Sequence, residues 1–217
     1  MTVLLLPVQS PGHHLPELVV EWDAPVIVVD DGSEPASAPV LREAAERGAE
    51  VLRHDRNRGK GVALKTGFRH IRDRHPGADV VCADADGQHP PADIRRVGEH
   101  VAETRRMTLG VRRFTGDVPL RSRFGNRLTA RLFRVATGQD IGDTQTGLRG
   151  YPADQLEWLS AIEGERFEYE MNVLTAAARR GLPIDQVEIA TIYNGSSQFG
   201  ALADSARIYW SLLRVLV

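Results

Sequence analysis

The chain has 217 residues, enough for one large domain or two small ones with a sizeable core. Its apolar content of 42% is that of a globular protein, and a formal charge of −2 gives no reason to expect nucleic acid as the main partner. The single Cys82 excludes an intramolecular disulfide. The opening MTVLLLPVQSPGHH lacks a basic leader region, and no apolar run is long enough to span a bilayer. A reducing cytoplasmic setting is the expectation.

Val3 to Val8 reads as a first strand, stopped by Ser10-Pro11-Gly12. His13 and His14 have no second ligand cluster at suitable spacing and read as surface residues. Leu15 to Trp22 reads as a short helix. Ala24 to Val29 is apolar and β-branched, a buried strand ending in Asp30-Asp31-Gly32-Ser33. Pro39 to Gly48 reads as a helix closed by glycine, and Ala49 to His54 as a third strand. Gly59 and Gly61 open a helix with Val62, Leu64, Phe68 and Ile71 on its apolar face. Glycines before a helix N-terminus allow close approach of an anion. The Walker pattern fails here, because Leu64 stands where its second glycine belongs, and the dinucleotide glycine pattern fails as well.

Ala78 to Ala83 reads as a fourth strand, and it runs straight into Asp84-Ala85-Asp86. A buried strand ending in acids places them at the carboxyl edge of a sheet, where open α/β sheets bind ligands. Carboxylate oxygens suit a hard cation such as Mg²⁺ or Mn²⁺, which commonly bridges to substrate phosphates. A solvated turn built on Asp86-Gly87 fits the same residues, so the pair alone does not decide.

Ala92 to Arg105 reads as a helix and Met107 to Gly110 as a fifth short strand. Val111 to Arg127 is arginine-rich, with Gly116 and Pro119 as breakers. It reads as a loop leading into a helix from Leu120 to Thr137, and its forked donors match phosphate geometry. Ile141 to Pro152 is polar and glycine-dense, with too little apolar content for a core. Phe167 to Arg180 reads as a helix with Glu168 and Glu170 at its start, Ile184 to Ile189 as a last strand, and Thr191 to Gly200 as a polar loop. In the tail, Ile208, Leu212, Val215 and Leu216 share one helical face. That face packs on its own domain or meets a membrane surface or a partner. The alternation predicts an α/β fold with a mostly parallel sheet covered on both faces.

VVDDGS, NRGKGVALKTGF, DADGQHPP, DTQTGLRGYP and FEYEMNVL, in this order and spacing, resemble glycosyltransferase family 2. Within it they look most like bacterial enzymes related to polyprenyl-phosphate mannosyl- and glucosyltransferases. The resemblance covers nearly the whole chain. It implies a GT-A fold, Rossmann-like, with a mixed, mostly parallel sheet flanked by helices in a single domain over 1–217. Residues 1–110 would be the nucleotide-sugar half, and 111–217 the acceptor half with its C-terminal helix. It also implies inverting transfer of a hexose-type sugar, with Mg²⁺ or Mn²⁺, from a UDP-, GDP- or dTDP-sugar to a polyprenyl phosphate or another acceptor.

By the same resemblance Asp30 and Asp31 would hold base and ribose, and Lys60 and Asp84 the nucleotide sugar. Asp86 would be the metal ligand, with Gln88 completing its environment. Arg112 would meet the donor phosphate, and Arg121 and Arg123 an acceptor phosphate. Asp143 would be the general base. Gln145, Thr146 and Arg149 would shape the acceptor pocket with Gln198, which stands where the subgroup reads histidine. Two other readings stay open. One is the same chemistry on a soluble biosynthetic intermediate, since the membrane helices of some relatives are absent. The other is a non-catalytic nucleotide-sugar-binding partner of a membrane protein. A sugar nucleotidyltransferase would need a glycine-rich basic loop directly after the first strand, and Ser10-Pro11-Gly12-His13-His14 is a poor match.

Overall fold

The computed structural model describes residues 1–112 and 120–192; between 120 and 127 the only side chain it describes is Asn126. The side chains of Arg121 and Arg123, Gln198 and the predicted C-terminal helix lie outside the described residues.

The apolar runs of the first half become parallel strands. β1 (Thr2–Val8) pairs with β2 (Val26–Asp30) on one side and β4 (Asp79–Cys82) on the other, and β3 (Glu50–Arg53) extends the sheet beyond β2. In the second half β5 (Met107–Arg112) and β7 (Ile184–Ile189) pair in parallel. β6 (Arg149–Tyr151) runs antiparallel between β4 and β5 and joins both groups into one sheet of order β3-β2-β1-β4-β6-β5-β7. The expectation of a mixed, mostly parallel sheet is borne out.

Successive side chains leave opposite faces of a strand, so each strand feeds two cores. Val3, Leu5, Ile27, Val29, Val80 and Cys82 pack with Phe68 and Ile71 of α3 (Lys60–Arg74) and with Tyr169 and Leu174 of α7 (Glu168–Arg179). Leu4, Leu6, Val26, Val28 and Val81 pack with residues of three helices on the other face. These helices are α1 (His14–Val20), α2 (Ala38–Glu46) and α4 (Pro91–Thr104). Parallel strands covered on both faces need this two-sided apolar content. Cys82 is a small core residue, as expected, and burial pushes its thiol far above the usual range. α5 (Leu120–Thr137) and the short α6 (Leu156–Ala161) complete the described α-helices. Among the described residues no helix is long and apolar enough to cross a membrane.

Two expectations need correction. The segment Ile141 to Pro152 reads as too polar for a core, yet it supplies the buried β6, and Thr144, Thr146 and Arg149 are buried with it. Its polar groups tolerate burial because they bond one another, as buried polar groups must. His13 and His14 lie at the surface as expected, but they do gain a neighbour: with Glu17 their ligand atoms lie within 4.8 Å of one another.

The start of α3 lies tight against the segment that enters α7. A Cβ on Gly61 would stand 2.6 Å from the Cβ of Tyr169 and 2.9 Å from the carbonyl carbon of Glu165. Alanine gains about 1 kcal/mol of helix propensity over glycine, but overpacking a fixed contact costs about 1–3 kcal/mol. Gly61→Ala is therefore expected to lower stability in urea unfolding, and a stabilised variant would show that the two helices can part freely.

Candidate active site

β1, β2, β4 and β5 all end at one edge of the sheet, and the antiparallel β6 begins there, with Arg149 opposite Cys82. The edge therefore collects Asp30 and Asp31, Asp84 and Asp86, Arg112, and the loop from Asp143 to Arg149. Of the expected residues whose side chains are described, all lie on this edge or on the helix start beside it.

Asp30 is fully buried. Its Oδ1 accepts the N–H of Ser33, and the Ser33 hydroxyl in turn accepts the N–H of Ser10, which ties the loops after β1 and β2 together. Arg53 Nε stands 3.3 Å from Asp30 Oδ2, close enough to pair charges, yet that oxygen has no hydrogen-bond donor. Asp31 does something other than the resemblance implies. Its oxygens accept the N–H groups of Arg58 and Gly59 at 2.9 and 2.7 Å, and His54 Nδ1 lies 2.7 Å away. The anion at the start of α3 is thus the protein's own carboxylate. The room left by Gly59 is filled by the backbone of Glu165, whose carbonyl oxygen would lie 2.4 Å from a Cβ there. Asp31 builds the loop, and its side chain is left little capacity for a ligand.

Asp84 ends a chain of alternating charges. Lys60 Nζ lies 2.8 Å from Asp84 Oδ1 and 3.0 Å from Glu170 Oε2, and Glu170 Oε1 lies 3.6 Å from Arg149 Nε. Burial opposes the charge on Lys60, but Asp84 and Glu170 together overcome it and hold the ammonium well above the usual lysine range. Burial likewise opposes the Asp84 carboxylate. Lys60 chiefly, with His89 and Arg112, reverses this and holds its carboxyl below the usual range. Arg149 is 1% exposed. Its guanidinium donates to the carbonyls of Thr146, Glu170 and Thr144 at 2.8, 2.7 and 3.2 Å. It is too buried to meet a ligand itself, and it braces the loop from Asp143 to Arg149 from below. Thr146 is also buried, and its hydroxyl accepts the N–H of Leu148. Gln145 is partly exposed and remains open to a ligand.

Asp86 is partly exposed, and its Oδ1 accepts the N–H of Gln88 at 3.0 Å. Burial and then the neighbouring Asp84 push its carboxyl above the usual range. An acid whose charge is opposed by burial and by a neighbouring carboxylate forms a site that a cation would stabilise. Beside them the buried His89 has an Nδ1 with no hydrogen-bond partner. The donor set, with the side-chain oxygens of Asp86 and Gln88 at the sheet edge, fits a hard divalent ion.

Asp143 is fully buried and held by a fork: Arg112 Nε lies 2.6 Å from its Oδ2 and Arg112 Nη2 3.1 Å from its Oδ1. The N–H of Gln145 also donates to Oδ1, at 3.1 Å. The preceding residue is pinned as well, because Gly142 donates to Gln186 Oε1 and accepts from Asn126 Nδ2.

Sequence reasoning missed Glu170, Gly147 and Asn126. Glu170 was visible as an acid inside an apolar helix start, which demands a buried partner. Gly147 packs directly on Asp84, since a Cβ there would lie 2.1 Å from Asp84 Oδ2. No local pattern in the sequence announces that contact.

The family model for "Glycosyl transferase family 2" matches residues 21–156. The UDP-N-acetylglucosamine–dolichyl-phosphate N-acetylglucosaminyltransferase of Methanococcus voltae is 29% identical over 189 residues, covering 77% of this chain and 74% of that protein. The undecaprenyl-phosphate 4-deoxy-4-formamido-L-arabinose transferase of Edwardsiella ictaluri is 32% identical over 180 residues, covering 82% of this chain and 53% of that one. The chain therefore spans about half the length of the second relative. Among solved structures, glucosyl-3-phosphoglycerate synthase of Mycobacterium tuberculosis, in complex with Mn²⁺, UDP and glucosyl-3-phosphoglycerate, shares the fold. Its TM-score is 0.78 at 19% identity, covering 99% of this chain and 79% of that one.

Two outcomes follow from the geometry. Gly147→Ala should fold, because the group it strikes is the end of a side chain, but it should displace the Asp84 carboxylate and weaken Mn²⁺-dependent nucleotide binding at least tenfold in calorimetry. Unchanged binding would remove Asp84 from the site. Lys60→Met leaves the buried Glu170 facing the partly exposed Asp84 with no cation between them, a defect that solvent at Asp84 holds to at most about 3 kcal/mol, the low end for a buried pair. Adding Glu170→Gln should recover part of that loss in urea unfolding, whereas additive losses would mean that the two groups do not act as a pair.

Proposed function

The chain belongs to glycosyl transferase family 2, and from that premise we propose that it moves a hexose-type sugar, with inversion, from a nucleotide-sugar donor to a polyprenyl phosphate. The observation that carries this reading is the convergence on one sheet edge of the Asp84–Asp86 pair, Lys60 and the Arg112–Asp143 pair. The acceptor class is supported by the two relatives named for dolichyl and undecaprenyl phosphates. A lipid acceptor of this kind would bring the protein to the inner face of a membrane.

Asp86 and Gln88 are the residues that would hold Mg²⁺ or Mn²⁺, and the ion would act as a Lewis acid on the departing diphosphate. The buried Asp30, with one oxygen lacking a donor, suits a ring N–H of the base. Lys60 fixes Asp84 against the donor. Arg112, at the end of β5, offers a forked donor to the diphosphate as charge develops on it. The acceptor attacks the anomeric carbon from the side opposite the leaving group. A phosphate acceptor is already anionic and needs no base, so the arginines of this half, Arg121 and Arg123 among them, would matter most.

A second reading has its own support. Asp143 is a carboxylate built into the acceptor loop, and a hydroxyl acceptor, as in a soluble intermediate, needs a group that takes its proton. Acceptor type and residue are therefore linked. Asp143→Asn should cut transfer to a hydroxyl about 10²–10⁴-fold and transfer to a polyprenyl phosphate little. Parallel assays on both acceptors decide between the readings.

The donor is tested by thermal shift with UDP-, GDP- and dTDP-sugars, each with and without Mn²⁺. A ligand that binds only the native state raises the melting temperature by mass action. One nucleotide class should stabilise the protein only with metal, and Asp86→Ala should abolish that response. A response that survives in Asp86→Ala would displace Asp86 as ligand, and no response to any donor would favour a non-catalytic role.

A further inference from the structure

The fork between Arg112 and Asp143 poses a chemical problem for any role of Asp143 in the acceptor site. A carboxylate has about four lone-pair positions, and three hydrogen bonds already use Asp143: Nε and Nη2 of Arg112, and the N–H of Gln145. The acid is fully buried, and the Arg112 side chain over it is 20% exposed. In this arrangement one acceptor position at most is left on Oδ2, and it is buried beneath the Arg112 side chain. A guanidinium does not lose its proton in a protein, so Asp143 is freed when Arg112 moves away with its charge, and another anion would draw it.

That anion has an evident place. Arg112 ends β5 on the same edge as Asp84 and Asp86, and its charge is felt at both Asp84 and His89. A diphosphate bound at the acid pair would stand within the field of the guanidinium and match its fork as well as a carboxylate does. We infer that Arg112 is a positioning residue that exchanges partners, holding Asp143 in the free protein and moving to the donor diphosphate when it binds, so that the acceptor site opens only after the donor is seated. The inference rests on the donor reading above. It makes the order of binding a property of one side chain.

Coupling of this kind is reciprocal. If the diphosphate must take Arg112 from Asp143, then weakening that hold makes the diphosphate bind more tightly. The test is calorimetric titration of UDP and GDP, each with Mn²⁺, into the wild type, Arg112→Gln, Asp143→Asn and the double variant, with thermal melts to confirm folding. Arg112→Gln should bind at least tenfold more weakly. Asp143→Asn should bind about fivefold or more tightly, within the usual span of coupling between sites. In the Arg112→Gln background, Asp143→Asn should have no effect.

Equal or weaker binding by Asp143→Asn overturns the inference. So does an equal gain in the Arg112→Gln background, because removing a nearby negative charge would then explain the gain without any exchange of partners. Asp143→Ser, neutral and smaller, repeats the arm if asparagine is not tolerated. Failure of the wild type to bind either nucleotide overturns the donor reading itself, and this is distinguishable from a wild type that binds but shows no coupling.

Discussion

Lys60 sits between Asp84 and Glu170, 2.8 Å from one and 3.0 Å from the other, and Glu170 leans on Arg149. These four charges come from four elements or their ends: the start of α3, the loop after β4, the first turn of α7 and the start of β6. Each is costly to bury alone, and each is tolerable because its neighbour carries the opposite sign. The chain of charges therefore does more than join two parts of the sequence. It sets the position of Asp84 from the same side chains that hold up the loop carrying Asp143. Arg149 supports that loop through two of its carbonyls, those of Thr144 and Thr146.

Much of the fold was legible because its signals are local. β1, β2 and β4 are short apolar runs ended by polar residues, and α3 carries a helical apolar stripe. The acids at the ends of β2 and β4 follow from that reading, because a parallel sheet gathers its strand ends at one edge. β6 was illegible for a physical reason. Three residues, one of them arginine, carry no periodic signal, and their burial depends on the carbonyl and the acid of Glu170, which lies in a later helix.

The site divides in the same way. The acidic strand ends and the family resemblance together pointed to which residues gather at the edge. They did not separate those that face a ligand from those that hold the frame. Asp31 and Arg149 are frame: one holds the entry to α3, the other supports the loop that carries Asp143. Asp86 and Gln145 are partly exposed. The difference lies in hydrogen-bond partners, which no single-sequence pattern records. The fork between Arg112 and Asp143 belongs to this class too. A resemblance assigns the two residues separate tasks, while the structure makes them compete for one another.

The central claim is that a divalent ion and a nucleoside diphosphate meet at Asp86 on this edge. The most direct measurement is anomalous diffraction at the manganese edge from crystals soaked with Mn²⁺ and UDP or GDP. The account predicts one strong peak against the Asp86 carboxylate, with the diphosphate beside it and the Arg112 guanidinium turned from Asp143 toward the phosphates. Manganese found at His13, His14 and Glu17 instead, or a nucleotide bound away from the Asp84–Asp86 pair, would contradict it.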